Sequence, residues 1–217
     1  MSSFILKDFN EICNQKIKYA LLILVSSLLP LTYLWAGQGL INSAHLLMRF
    51  MFLCIPVMIS IETTLNQTRE SVKDGVFELL FINKLIKKER IVFSKCIINI
   101  IISCITAGIS LILLLTVTAI MGKTFILKID FAFILIFLLM CFVCTNIGFI
   151  SSVFLNGKHG SILYTMFFLA LLIFVFKIYE ILNIYSSLYL LLILACLSTV
   201  SFIICKGMLN KNRFIVR

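Results

Sequence analysis

Six apolar segments, each of roughly membrane-spanning length, constrain this chain more than any other feature. They cover residues 19–36, 45–65, 92–121, 131–154, 161–180 and 186–205. A helix needs about 20 mostly apolar residues to cross the hydrocarbon core of a bilayer. Soluble domains carry about 25% charged residues, whereas this chain of 217 residues is 13% charged and 62% hydrophobic. The sequence therefore predicts an all-α integral membrane protein with six transmembrane helices.

The distribution of positive charge predicts the orientation of these helices. If the N-terminus is cytoplasmic, 15 of the 19 Lys and Arg residues fall on the cytoplasmic side. The other four belong to the outer side or outer membrane half: Arg49, Lys123, Lys128 and Lys177. Positive residues concentrate in cytoplasmic loops, so both termini are predicted to be cytoplasmic. The net charge of +10 then indicates contact with anionic lipid headgroups rather than with nucleic acid.

The predicted six-helix domain covers 19–205, with a separate polar segment on each side of it. Residues 1–18 are too polar to span, and their apolar positions share one helix face, which predicts an interfacial amphipathic helix. That helix either braces a cytoplasmic partner or only anchors the chain on lipid. Residues 206–217 form a basic cytoplasmic tail. Pro30 and Pro56 lie inside the first two spans and are predicted to kink them rather than to end them.

One long polar segment interrupts the apolar runs, between the second and third spans. Within it, Val72, Val76, Leu79 and Leu80 recur at the spacing of one helix face. The pattern predicts an amphipathic helix in a cytoplasmic segment, 66–91. At that position a soluble partner protein could bind it.

Motifs for catalysis and metal binding are absent from the sequence. Asn156–Gly160 resembles part of a phosphate loop but lacks its upstream glycine and its hydroxyl residue. His45 and His159 are predicted to be interfacial. Cys141 and Cys144 form a C-x-x-C without the further ligands that zinc needs, and their role stays open. The chain is predicted to be non-enzymatic and to bind no cofactor or metal itself.

A few polar residues fall within the predicted spans, where ionisable groups are functional candidates. Arg49, near the outer start of the second span, either snorkels outward or contributes to a translocation path or outer gate. Lys177 and Glu180 lie one turn apart near the outer end of the fifth span and could pair at an outer gate or at the interface. Asn99 and Asn146 are predicted to hydrogen-bond between helices.

The polar segment carries a family resemblance. The residues concerned are Arg69-Glu70, then Gly75-Val76-Phe77-Glu78-Leu79-Leu80, then Ile91-Val92-Phe93-Ser94-Lys95. Together with six spans, inner termini and the interfacial first helix, they resemble the membrane subunit of an ABC-2 type transporter. Leu85 stands where that family usually has proline, and Glu89-Arg90 reverses the usual order of charges.

The resemblance implies a permease of an ATP-binding cassette exporter in a bacterial plasma membrane. A separate cytoplasmic ATPase, holding ATP and Mg, would grip a coupling helix that contains Glu70, Gly75, Glu78, Leu79 and Leu80. The permease would work as a dimer, with a second copy or a paralogue. The cargo would be a peptide or antimicrobial, a drug or a lipid-like molecule.

Other functions stay open at this point. The turn at 155–160 is also similar to that of the small haem-exporter permease of cytochrome c maturation. An ion-coupled secondary carrier would need acidic residues at mid-membrane depth. A non-transporting scaffold or immunity protein, and a membrane-embedded enzyme with a buried polar centre, are the remaining alternatives.

Overall fold

The described part of the chain is built from helices. The computed structural model describes residues 14–31, 44–68, 71, 88–121, 130–154, 162, 164–166, 169–170, 173 and 186–208. The α-helices are α1 (Lys16–Leu28), α2 (Ala44–Ser60), α3 (Lys88–Ile120), α4 (Phe131–Phe154) and α5 (Ser186–Met208). A 3₁₀ turn (Leu29–Leu31) follows α1, and a π-helix (Ile61–Asn66) continues α2. The prediction of an all-α fold is confirmed for these residues.

Among the described residues, four helices are long and apolar enough to cross a membrane. Their candidate spans are Arg49–Asn66, Arg90–Ile120, Phe131–Ser152 and Tyr189–Gly207. They coincide with the second, third, fourth and sixth predicted spans. These four helices give the described part of the chain the architecture of a multi-pass membrane protein. The number of six spans and the cytoplasmic position of the termini stay predictions.

The first predicted span begins with a short helix. The α-helical part of α1 has 13 residues, and Pro30 lies in the 3₁₀ turn that follows it. Residues 32–43 lie outside the described residues, so the kink at Pro30 stays a prediction. Pro56, in contrast, lies inside α2, which continues to Ser60.

Three predicted segments fall largely outside the described residues. Of the interfacial helix at 1–18, only 14–18 are described, and Lys16 already begins α1. Of the fifth span at 161–180, only isolated helical residues are described. The basic tail is described at 206–208 alone, where it forms the end of α5.

The third membrane-crossing segment is a single unbroken helix. α3 has 33 residues, and at 1.5 Å per residue it is about 50 Å long. The hydrocarbon core is about 30 Å thick, so α3 has to tilt or extend beyond it. The helix begins at Lys88, four residues before the apolar run, so its first turn belongs to the polar segment that precedes the run.

α4 is the centre of the described helices. It packs against α2, the π-helix, α3 and α5. Ile136 and Met140 of α4 are fully buried in one core with Leu53 and Ile59 of the second segment. The outward faces of α3 and α5 expose large apolar side chains instead, among them Ile112 and Ile203. Such faces are suited to contact with lipid chains, while α4 is largely shielded from them.

Candidate functional site

A buried chain of hydrogen bonds joins α1, the end of the α2 segment and the start of α3. Lys95 Nζ donates to Gln67 Oε1 over 2.9 Å, and Gln67 Nε2 donates to Tyr19 Oη over 2.8 Å. All three residues are buried, and Lys95 is only 5% exposed. A buried ammonium is costly unless polar partners compensate its lost hydration. The three helices are therefore held together at this point by a contact that is expensive to break.

A second set of contacts lies beside this chain. Glu62, the second residue of the π-helix, forms a salt bridge with Lys18 of α1. Asn66 Nδ2 donates to Glu62 Oε2 over 2.7 Å. The Glu62 side chain is 13% exposed, so most of its lost hydration is replaced by these two partners. We call the six residues of these two sets of contacts the polar cluster: Lys18, Tyr19, Glu62, Asn66, Gln67 and Lys95.

The π-helix itself presents these residues. A π-turn holds one residue more than an α-turn, which changes the rotation of the side chains that follow, and such turns are frequent at functional sites. Thr63 donates to the carbonyl of Ile59 over 3.0 Å. Gln67 and Thr68 continue as helix after Asn66 and are both buried. Glu62 in the π-helix thus contacts α1, and Gln67, just after it, contacts both α1 and α3.

Tight packing surrounds the π-helix. The Tyr164 hydroxyl contacts that of Ser60, the last residue of α2, and Tyr164 is fully buried. A Cβ on Gly148 of α4 would lie 3.4 Å from Thr64 and 3.4 Å from Tyr164. A Cβ would therefore touch both neighbours at ordinary van der Waals distance, and a larger side chain at Gly148 would have to displace them.

The polar cluster lies where the chain enters and leaves the predicted coupling segment. Helix is described up to Thr68 and again from Lys88. Within the segment 66–91, only 66–68, 71 and 88–91 are described. The predicted coupling residues Glu70, Gly75, Glu78, Leu79 and Leu80 all lie outside the described residues, so their roles stay predictions.

A different contact lies at the opposite end of the α2–α4 group. Arg49 Nη2 donates to Asp130 Oδ2 over 2.7 Å. The guanidinium carbon of Arg49 lies 5.7 Å from the centre of the Phe133 ring, within the range of a cation–π contact. Arg49 thus pairs with a carboxylate at the start of α4. The other two predicted gate residues, Lys177 and Glu180, lie outside the described residues.

The two asparagines of the bundle interior bond between helices, which confirms their prediction. Asn99 Nδ2 of α3 donates to Thr145 Oγ1 of α4 over 2.8 Å. Asn146 Nδ2 of α4 donates to Ser201 Oγ of α5 over 3.1 Å. Both side chains are buried and act in helix packing.

Cys141 and Cys144 lie on α4 in the same interior. Both are free thiols and both are buried. The carbonyl of Cys141 accepts hydrogen bonds from Asn99 and Thr145. Among the described residues, no group of three or more His, Cys, Asp or Glu residues could hold a metal ion.

Sequence reasoning did not single out Asp130, Gln67, Tyr19 or Lys18 as members of a site. For Asp130 a signal existed, because the predicted topology puts it at the same membrane face as Arg49, with the opposite charge. The partners of Lys95 had no such signal, since Gln67 and Tyr19 are uncharged and belong to distant parts of the sequence.

Comparison with known proteins adds no relative. No protein-family model, curated protein or solved structure matches this chain. The resemblance to ABC-2 type permeases therefore depends on the residues between Arg69 and Lys95 and on the predicted topology.

Proposed function

We propose that this chain is the membrane permease of an ATP-driven exporter, and that a separate ATPase moves it through the segment 66–91. The observation that carries the proposal is the polar cluster. Through Lys95 and Gln67 it joins the two helices that flank the segment, and through Tyr19 it adds α1 to them. A push on the segment would then move these helices as one unit.

Such a rigid connection is what an external motor requires. Domain movements are transmitted by packed helices with discrete arrangements, and a loose link would absorb the movement. Lys95 is also one of the residues that carry the family resemblance, and it is the residue that donates to Gln67. Family resemblance and contact geometry thus favour the same part of the chain.

The location of the carboxylates favours an ATP-driven exporter over an ion-coupled carrier. The acidic residues in the described helices and their flanks are Glu62, Glu89 and Asp130. Glu89 is the second residue of α3, Asp130 precedes α4, and Glu62 lies in the last turns of its span. Carriers that run on protons or ions use acidic residues within the membrane. In the described part of the chain, Glu89 and Asp130 lie at helix ends, and Glu62, near the end of its candidate span, is paired with Lys18.

The proposal is tested by the ATP hydrolysis that co-purifies with the chain. A tagged chain is isolated in mild detergent from its native membrane, and ATP turnover is measured in the eluate. We expect turnover for the wild type and a loss of about tenfold or more for Glu78→Arg, which corresponds to at least about 1.4 kcal/mol of binding free energy. Charge reversal would oppose any contact that the Glu78 carboxylate makes.

The matched control is Lys123→Glu, a charge reversal in the predicted outer loop. It should retain the co-purified turnover. Equal turnover with Glu78→Arg and wild type would contradict the role of the coupling helix. Failure to co-purify any ATP hydrolysis with a well-folded wild-type chain would contradict the proposed function as a whole.

A further inference from the structure

An apolar cleft lies between α2, α3 and α4. Its lining includes Phe52 of α2, Cys104, Gly108 and Leu111 of α3, and Phe133 and Phe137 of α4, and its volume is about 240 Å³. We refer to it as the Phe52 cleft. A water molecule occupies about 30 Å³ of liquid, so the cleft has room for a run of several methylene groups.

The Phe52 cleft opens sideways, on a face that would meet lipid. Cys104, Gly108 and Ile134 are part of its lining and are exposed. Next to them, Ile105 and Ile109 of α3 are exposed as well. No described atom beyond its own helix neighbours lies within 4 Å of a Cβ added at Gly108. An apolar chain in the bilayer can therefore enter without displacing any described part of the protein.

One end of the Phe52 cleft carries a charged pair. Phe133, in the lining, lies beneath the guanidinium of Arg49, and Arg49 precedes Phe52 by one helical turn. Arg49 in turn bonds Asp130. The side chain of Arg49 is 21% exposed and that of Asp130 is 59% exposed. The Phe52 cleft thus ends at a pair of opposite charges, of which the Asp130 carboxylate is the more exposed.

We propose that the Phe52 cleft binds one acyl chain of a membrane phospholipid whose head carries an ammonium group beyond its phosphate. In such a lipid the phosphate lies next to the chains and the ammonium lies beyond it, so its two charges are opposite in sign to those of Arg49 and the more exposed Asp130. A guanidinium matches the geometry of phosphate oxygens, so Arg49 contacts the phosphate. Asp130, further into solvent, contacts the ammonium. This site does not depend on the proposed function, because it requires binding and not transport.

The charged pair decides between this lipid and other occupants. A lipid with phosphate but no ammonium would place no positive charge against Asp130 and would compete with it for Arg49. A second copy of the chain could fill the cleft with apolar side chains, but such side chains would make no use of the charged pair at its end. The zwitterionic lipid is the occupant that uses both the cleft and the pair.

The test is photocrosslinking with lipid in vesicles. The full-length chain is reconstituted in phosphatidylethanolamine vesicles that contain a trace of the same lipid with a diazirine on one acyl chain. Adducts are mapped by mass spectrometry after irradiation. We expect adducts at the cleft residues of α2, α3 and α4 to exceed those on the exposed face of α5 by about fivefold, or about 1 kcal/mol of preference.

Two substitutions fill the Phe52 cleft and one matched control does not. Gly108→Leu should reduce the cleft adducts by about fivefold, and Ala107→Phe supplies a second filling variant if Gly108→Leu is not recovered folded. Gly207→Leu on α5 makes the same change at a glycine that also has open space around it. It should leave the adducts unchanged.

The headgroup is tested by a parallel probe based on phosphatidylglycerol, which has phosphate but no ammonium. We expect lower adduct yield with this probe, and we expect Asp130→Asn to abolish the difference between the two probes. The proposal is overturned if adducts are spread evenly over the cleft and α5, or if both filling variants leave them unchanged. It is also overturned if the two probes react equally with wild type, or if the cleft residues crosslink a second chain in place of lipid.

Discussion

The two ends of the α2–α4 group hold charged residues in opposite ways. At one end Lys95 is almost fully buried and bonds Gln67, which bonds Tyr19, so that three helices meet. At the other end Arg49 bonds Asp130, whose side chain is mostly exposed. Removing one partner of a buried charged contact is strongly destabilising, whereas exposed ion pairs contribute only about 0–1 kcal/mol.

Under the proposed function, this difference would correspond to a division of mechanical roles. The Lys95 end resists separation of its helices, as a junction that transmits force must. The Arg49 end is joined by contacts that can exchange with water or lipid at little cost. An exporter would need both properties, a rigid end near its motor and an end that opens. The predictions below test whether the two ends differ in this way.

The largest expected effect is that of Lys95→Met. The substitution keeps an unbranched side chain but removes the donor to Gln67 Oε1, which is buried. The free energy of unfolding should fall by about 2–3 kcal/mol, because a buried acceptor loses a charged donor. Denaturant titration of the purified protein in detergent measures it. Lys16→Met, at an exposed lysine of α1, is the matched control and should change stability by less than about 0.5 kcal/mol.

A double variant sharpens this prediction. When Gln67→Leu is added to Lys95→Met, neither partner of the bond remains to be left unsatisfied. The combined loss of stability should therefore be smaller than the sum of the two single losses. If the two single losses of stability simply add, the two side chains do not act together. The claim that their bond holds the helices together would then be contradicted.

A pair of glycines gives the next largest difference. Gly148→Leu should lower the free energy of unfolding by about 1–2 kcal/mol through overpacking, since even a Cβ there lies 3.4 Å from Thr64 and Tyr164. Gly108→Leu makes the same change in the open cleft at the Arg49 end. Its effect should stay within about 0.5 kcal/mol. Equal losses for both would contradict the contrast between a packed end and an open end.

The smallest effect is expected for Arg49→Met. The variant removes the ion pair with Asp130. The Asp130 carboxylate that remains can be hydrated because it is mostly exposed. The free energy of unfolding should change by less than about 1 kcal/mol, and part of that small effect should disappear at high salt. A loss as large as that of Lys95→Met would show that the Arg49 end is also a rigid junction.

The sequence predicts those features that depend on the length of an apolar run. The second, third, fourth and sixth spans agree with α2, α3, α4 and α5 because about 20 apolar residues suffice to define each of them. The start of α3 at Lys88 was not predicted, since an apolar run shows only the part of a helix that lies within the membrane. The π-helix at Ile61–Asn66 was not predicted either, since one extra residue in a turn leaves no mark on composition.

The polar cluster was less accessible to sequence reasoning. Lys95 was recognised as part of a family motif, and Glu62 falls within the second predicted span, 45–65. Their partners depend on which helices are neighbours and how each is rotated, which apolar composition alone does not determine. Asn99 and Asn146 were predicted successfully because any polar amide in the middle of a bundle has to find a partner on another helix.

The most direct test of the central claim is a photocrosslink from the coupling segment in native membranes. A photoreactive phenylalanine analogue replaces Leu79, on the predicted binding face. In a separate control variant the analogue replaces Ile112, which is exposed on α3. A crosslink from position 79 to an ATP-binding protein, with none from position 112, is the expected result. Crosslinks from position 79 to lipid alone, or labelling of that position from outside the cell, would contradict the claim that an external ATPase drives this chain.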